Sequence, residues 1–308
     1  MDYCIDPGNA LTKALESGNQ RRVIVPSCIK SLAPHERRIK GNDKSPVIIY
    51  QDGGTELACV IGKLADERLG IWNYATKRKI DRLKPLLFAT LPQQHHSDIT
   101  RLLVAVPDEI EEGTQAELDR LVGAHHFSRN GVKMSCTVRK VIAVSETYCA
   151  YLGAIHHRLF AFPDRHNAIV TVGGGTLNLA IVDSSGNSID EYSAVAPLGL
   201  LSLANRISAA LPTHPRPSSI MTALGEGSNM ASHTDFSSVF EACRLSWVAD
   251  IRGALIEKLG SQLSEIGDII ITGAPSPLLA DYVASVGGRM KIAPNAGVFG
   301  LEGMQYYR

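Results

Sequence analysis

Two short stretches of this 308-residue chain hold residue types that grip anions: Asp6-Pro7-Gly8-Asn9-Ala10-Leu11-Thr12-Lys13 and Thr171-Val172-Gly173-Gly174-Gly175-Thr176-Leu177-Asn178. A turn of small residues lets successive backbone N–H groups converge on one point, a concavity suited to phosphate. Gly8, Asn9 and Thr12 offer such a nest in the first stretch, and Gly173, Gly174, Gly175 and Thr176 in the second. Lys13 sits where an ammonium can reach a phosphate, and Asp6, at the end of its strand, can hold a magnesium ion through water. Glu146 follows Val144-Ser145 and opens a helix, a place where a carboxylate can position water against a phosphate. Each feature has a plainer reading beside it. Glycine turns shape hairpins without any ligand, Asp6 and Lys13 read equally as surface charges, and a first-turn glutamate is favoured by the helix dipole. Two related turns in one chain favour the binding reading.

Elements must position these residues. The chain opens with a strand at Tyr3–Asp6, a turn at Pro7-Gly8-Asn9 and a return through Leu11–Leu15, followed by strands at Val23–Val25, Val47–Tyr50 and Leu57–Ile61. Apolar spacing then predicts a helix over Ile80–Leu91, a strand over Arg101–Val106, a helix from Thr114 to about His126, a strand across Val132–Val144 and a helix over Glu146–Leu159. A domain boundary is expected at Pro163-Asp164-Arg165. The second half repeats the opening: strand Ala168–Val172, the glycine turn, and a return strand Asn178–Val182. The repeat aligns Asp6 with Thr171 and Lys13 with Asn178. Helices follow at Leu200–Leu211, Ser218–Leu224 and Phe236–Leu259, then a buried strand Asp268–Thr272 with Gly273-Ala274-Pro275 as its exit turn, a helix Pro277–Val286, a strand Met290–Ile292 and a terminal helix.

Composition narrows the function. Hydrophobic residues make up 44% of the chain and charged residues 20%, enough for two linked cores. Formal net charge is +0, and no basic run is longer than the short cluster at Lys77–Lys79, which argues against a protein that grips nucleic acid by neutralising phosphates. Six single cysteines without a CxxC pair, and an N-terminus without a secretory pattern, read as a soluble protein of the reducing cytoplasm. No apolar run approaches the roughly 20 residues of a membrane span. Three His-His pairs (His95-His96, His125-His126, His156-His157) lack companion ligands for a metal site. No GxxxxGK[ST], GxGxxG after a strand, or GxSxG occurs, which sets aside P-loop, Rossmann and hydrolase-elbow readings.

The order of motifs resembles the actin, heat-shock chaperone and sugar kinase superfamily, and within it the actin-like proteins of the ParM/StbA plasmid-segregation type. Ile5–Lys13 is similar to the first phosphate motif of that family, Val170–Asn178 to the second, Gly273-Ala274-Pro275 to the adenosine turn, and Asn295-Ala296-Gly297 to the second connecting segment. Glu146 matches the glutamate that orients the attacking water, and Gly199 a glycine close to the nucleotide. The resemblance implies a duplicated, two-lobed α/β fold of ribonuclease H-like halves with an interlobe nucleotide cleft. Domain I would be 1–163, completed by a C-terminal helix at about 294–308, and domain II 164–293. It implies ATP or GTP with Mg2+, self-association into filaments, and a DNA-binding adaptor for plasmid DNA, with no direct nucleic-acid binding and no membrane span. Three positions depart from the pattern: Thr171 and Asn178 stand where the family carries aspartates, and Thr171 cannot act as a base or offset a metal's charge, while Ala274 follows Gly273 where the family has a double glycine, which narrows the room for the base plane without closing it. The reading is therefore a slow ATPase, with a nucleotide-gated scaffold of degenerate catalysis as the alternative and a small-molecule kinase of the same fold as the third choice.

Overall fold

The computed structural model describes residues 1–75, 78–107, 112–260 and 262–307. Lys77 of the expected basic cluster, and Arg308 of the expected terminal segment, lie outside the described residues. The chain divides into two compact units, Met1–Glu146 and Thr147–Arg308.

The first unit begins as a meander of β1 (Asp2–Pro7), β2 (Leu11–Glu16) and β3 (Arg21–Pro26), continuing through β4 (Cys28–Ser31), β5 (Val47–Asp52) and β6 (Thr55–Ile61). After α1 (Lys63–Glu67) come β7 (Ile71–Trp72), a 3-10 turn at Lys79–Arg82, α2 (Leu83–Thr90), β8 (His96–Ile99) and β9 (Arg101–Val106). The short α3 (Thr114–Leu118) leads to β10 (Gly123–Arg129), β11 (Val132–Val138) and β12 (Val141–Ser145). One sheet has the order β12-β9-β1-β2-β3, the other β7-β4-β6-β5-β10-β11-β8. β9 is the parallel neighbour of both β1 and β12, and its near-continuous apolar run is what a strand covered on both faces requires. Leu83, Leu86, Leu87 and Phe88 of α2 join a core that takes Ile5 and Val104 from the first sheet and Ile48 and Phe127 from the second. Phe88 stacks on Phe127 with centroids 4.3 Å apart. Each such fully buried large side chain contributes about 1.5–3 kcal/mol.

The second unit runs through α4, which spans Glu146–His156 and so starts on the last residue of the first unit, then β13 (Asn167–Val172), β14 (Leu177–Val182), β15 (Ala194–Ala196), α5 (Leu200–Ala210) and α6 (Pro217–Gly225). The hairpin of β16 (Met230–Ala231) and β17 (Thr234–Asp235), α7 (Ser237–Leu259), β18 (Ile269–Thr272), α8 (Ala280–Val286), β19 (Met290–Ile292) and α9 (Phe299–Met304) complete it. Its sheet order is β15-β14-β13-β18-β19, which read backwards is the order of the first sheet. β13 pairs in parallel with β18, and β18 with β19, while β14 and β15 return antiparallel. The duplication read from the two turns is thus a duplication of a whole five-stranded sheet. Phe299 of α9 packs in one core cluster with Ala150, Tyr151 and Ala154 of α4, and His156 stacks on Tyr306 at 3.8 Å.

Two segments differ from the sequence expectation. The helix expected from Thr114 to His126 stops at Leu118, passes through a 3-10 turn at Asp119–Leu121 and gives way to β10. Pairing with β5 on one side and β11 on the other recruits His125-His126-Phe127 into the sheet, overriding local spacing. The single strand expected across Val132–Val144 is two strands, broken at Arg139-Lys140, and they belong to different sheets.

Candidate functional site

The residues singled out by sequence lie where parallel strands end. Asp6 is the next-to-last residue of β1, Glu146 follows β12, Thr171 nears the end of β13, Gly273 follows β18, and Asn295 lies beyond β19. Loops at the carboxyl ends of parallel strands are where open α/β sheets bind ligands.

In the first unit, Asp6 and Lys13 are cross-strand partners, and Lys13 Nζ donates to Asp6 Oδ2 at 3.0 Å with side chains 19% and 16% exposed. Each fixes the other at the mouth of the turn. A Cβ on Gly8 would lie 2.5 Å from the Leu11 carbonyl oxygen, so the tight turn needs glycine there. Asn9 is half-buried in the same turn. Thr12 is fully buried and its hydroxyl lies 2.8 Å from that of Ser27, so it braces the turn from within rather than facing a ligand. Glu146 opens α4 and forms an ion pair with Lys79, the two side chains 12% and 15% exposed. Two residues to which sequence reading assigns no part in the site thus belong here. Lys79 is one; the other is Asn73, 1% exposed, whose Nδ2 donates to the Pro7 carbonyl at 2.9 Å and lies 3.3 Å from the Lys79 carbonyl. Neither sits in a motif, and only the contacts reveal them.

In the second unit, Thr171 and Asn178 are cross-strand partners, as are Val172 and Leu177. Gly173 N donates to Thr176 O at 2.8 Å and closes the turn. The start of α5 grips it from outside: Leu200 N donates to Gly173 O at 3.0 Å and Leu201 N to Gly174 O at 2.8 Å. Gly199 N reaches Gly175 O at 3.4 Å, and the indole of Trp247 donates to Leu198 O at 2.9 Å, holding the approach to that helix. Gly273 has φ +105 and donates its N–H to Ala296 O at 2.8 Å; a Cβ there would sit 1.9 Å from the Val172 carbonyl oxygen. Ala274 lies against Gly297, and Pro275 leads into a 3-10 turn at Ser276–Leu279. The structure therefore gathers Gly173–Thr176, Gly199, Gly273–Pro275 and Asn295–Gly297 around one end of this sheet. Two buried hydroxyl oxygens in this region, Thr171 Oγ1 and Ser276 Oγ, have no hydrogen-bond partner among the described residues. Ser276 is 0% exposed and is a further residue the motif reading missed.

Neither a protein-family model nor a curated protein sequence matches the chain. Solved structures do. An archaeal actin homologue, Ta0583, superposes with TM-score 0.79 at 15% identity, covering 98% of this chain and 97% of that one. The chain has an actin-like fold. The actin-like fold extends over 99% of both chains in the comparison with a 15-stranded ParM filament from Clostridium botulinum, at TM-score 0.74 and 17% identity. Ta0583 solved in complex with ADP gives TM-score 0.76 at 15% identity over 99% of this chain and 98% of that one. Within this actin-like fold, the two expected phosphate motifs are the turns of the two repeated hairpins.

Among the described residues no group of three or more His, Cys, Asp or Glu could hold a metal ion by itself. One partly buried carboxylate at Asp6 fits a different mode, in which Mg2+ keeps most of its waters and takes the rest of its ligands from phosphate. No helix among the described residues is long and apolar enough to cross a membrane.

Proposed function

We propose that the chain is an actin-like nucleotide-binding protein, a slow ATPase that assembles into filaments and serves plasmid DNA segregation through an adaptor. The observation that carries this reading is the repeated hairpin: two turns of the same register, each at the carboxyl end of a parallel strand, each built from residues that leave backbone N–H groups close to a ligand. The solved neighbours give it direction, since one is described in complex with ADP and another as a ParM filament. Division into lobes at 1–163 with 294–308, and 164–293, belongs to the same proposal; the packing of Phe299 on α4 supports the return of the terminal helix.

In this reading the turns at Gly8–Asn9 and Gly173–Thr176 hold the phosphates, and Lys13 neutralises their charge. Asp6 orients the water shell of the cation. Magnesium, when bound, would offset charge on the β- and γ-phosphates. Glu146 accepts a hydrogen bond from the attacking water and aims it in line with the γ-phosphate. Gly273-Ala274-Pro275 lies beside the adenosine, with the Ala274 methyl narrowing the room for the base. The cytoplasm follows from the same kinship.

Sedimentation with magnesium and ATP, ADP, GTP or no nucleotide tests the proposal. Reversible pelleting with a triphosphate alone is the expected outcome, and it identifies the base; protein that stays in the supernatant in every tube, while still binding nucleotide, removes the filament from it.

A second reading, a nucleotide-gated scaffold with degenerate catalysis, is favoured by one observation: Thr171 and Asn178 face each other where the first hairpin has an acid and a base. Thr171→Asp separates the two. A turnover rise of about tenfold supports a decayed site, whereas no change leaves the present site as the working one.

A further inference from the structure

We propose that Lys79 is a positioning residue for Glu146, and that Asn73 ties this pair to the phosphate-gripping turn so that turn and carboxylate are held as one piece. The inference rests on the water-orienting role given to Glu146 above.

A lysine–glutamate pair is often a loose surface contact, because holding two long side chains in one geometry costs entropy and solvent screens the attraction. This one is different in its surroundings. Lys79 and Glu146 are only 15% and 12% exposed, and they come together from 67 positions apart in the chain. The segment that carries Lys79 is pinned on both sides. Arg78 bridges Glu117 at 2.6 Å and Asp81 at 3.1 Å, Ile80 is buried in the core, and Arg82 Nη1 donates to the Ile71 carbonyl at 2.7 Å. The stem of Lys79 therefore starts from a fixed backbone, and less freedom is lost when its ammonium meets the carboxylate.

From Lys79 the hydrogen bonds run inward to the turn. Asn73 Nδ2 serves the carbonyls of Pro7, at 2.9 Å, and Lys79, at 3.3 Å. Its backbone N–H donates to Ser27 O at 2.9 Å, and the Ser27 hydroxyl lies 2.8 Å from that of Thr12. Thr12, Ser27 and Asn73 are all buried, at 0%, 0% and 1%. The Asn73 side-chain amide thus touches the outgoing side of the turn and the backbone of the residue that holds Glu146, and its backbone N–H reaches the return side through Ser27. Buried polar groups linked in this way specify one arrangement, because leaving any member unpaired is costly. A shift of the turn on binding phosphate is transmitted to Glu146 through contacts that end on its carboxylate.

The test is steady-state hydrolysis of ATP and GTP by the full chain with magnesium, with nucleotide Kd and thermal midpoint measured alongside, for the parent, Lys79→Met, Lys79→Arg and Glu146→Gln. Lys79→Met is expected to lower kcat on the order of 10- to 100-fold, the scale of a misplaced reacting group, with Kd held within about twofold. Lys79→Arg recovers most of the loss, and Lys79→Met adds nothing in a Glu146→Gln background, as for residues acting as a unit. A purely structural role would lower the thermal midpoint without this split or this non-additivity. If Lys79→Met does not fold, Lys79→Gln, which keeps a donor for the carboxylate, replaces it in the comparison. Turnover lost in Glu146→Gln but unchanged or raised in the Lys79 variants overturns the role of Lys79 alone. A parent that binds nucleotide without hydrolysing it, or turnover that survives Glu146→Gln intact, overturns the role of Glu146 and this inference with it.

Discussion

The hairpins β1–β2 and β13–β14 share a register and differ in chemistry. Asp6 faces Lys13 in one, and Thr171 faces Asn178 in the other. The first pair is a half-buried ion pair; the second is neutral, with the Thr171 hydroxyl oxygen buried and without a partner among the described residues. The turns are also held differently. A side-chain amide, Asn73, braces the first, whereas backbone N–H groups at the start of α5 brace the second. Register is set by the parallel neighbours and by which face is apolar, and both are duplicated. The hairpins differ at two facing positions and in what grips the turn from behind.

The largest effect should come from breaking the backbone-held hairpin. Gly273→Ala places a Cβ 1.9 Å from Val172 O at a φ of +105, and urea denaturation should show a loss of about 3 kcal/mol or more. The matching insult to the side-chain-held hairpin, Asn73→Ala, should cost less, about 1–3 kcal/mol, because the orphaned carbonyls can recover some solvent. Next, the charged pair should matter to binding and the neutral one should not. Lys13→Ala should weaken ATP binding by about 10- to 100-fold by calorimetry, the worth of a hydrogen bond to a charged group, while Asn178→Ala changes it by about twofold or less. A third test converts one hairpin into the other. Thr171→Asp alone should destabilise the protein by about 1–3 kcal/mol, since it buries a carboxylate opposite an amide; adding Asn178→Lys should return much of that loss in a double-mutant cycle.

The sequence was most readable where local signals and long-range pairing agree. Pro7-Gly8-Asn9 and Gly173-Gly174-Gly175 are turn signals flanked by apolar runs, and both became hairpins. Gly273 announced itself by following an apolar strand. His125-His126-Phe127 misled because the run of residues before it has helical spacing, while the partners that make it a strand, Tyr50 and Met134, are supplied by other parts of the chain. Lys79 and Asn73 were illegible for a related reason. A lysine in a short basic cluster and a single asparagine acquire meaning only when folding delivers Glu146 and the Pro7 carbonyl to them.

The smallest expected effect concerns the buried thiols. Burial pushes Cys4 up to about 11 and Cys59 and Cys136 up to about 12. At pH 8 each is then roughly one part in a thousand thiolate or less, and the thiolate is the reactive form. Native protein should resist iodoacetamide at these three sites, with rapid labelling on adding urea.

The packing of α9 on α4 has a consequence in time. Phe299 completes a cluster with Ala150, Tyr151 and Ala154, yet about 150 residues separate the two helices in order of synthesis. At ribosomal speeds of about 5–20 residues per second, α4 waits roughly ten to thirty seconds for its partner. The strands of the first unit have all been made by Ser145, so that unit can close during the wait. For that interval the apolar face of α4 is what a chaperone would find on the nascent chain.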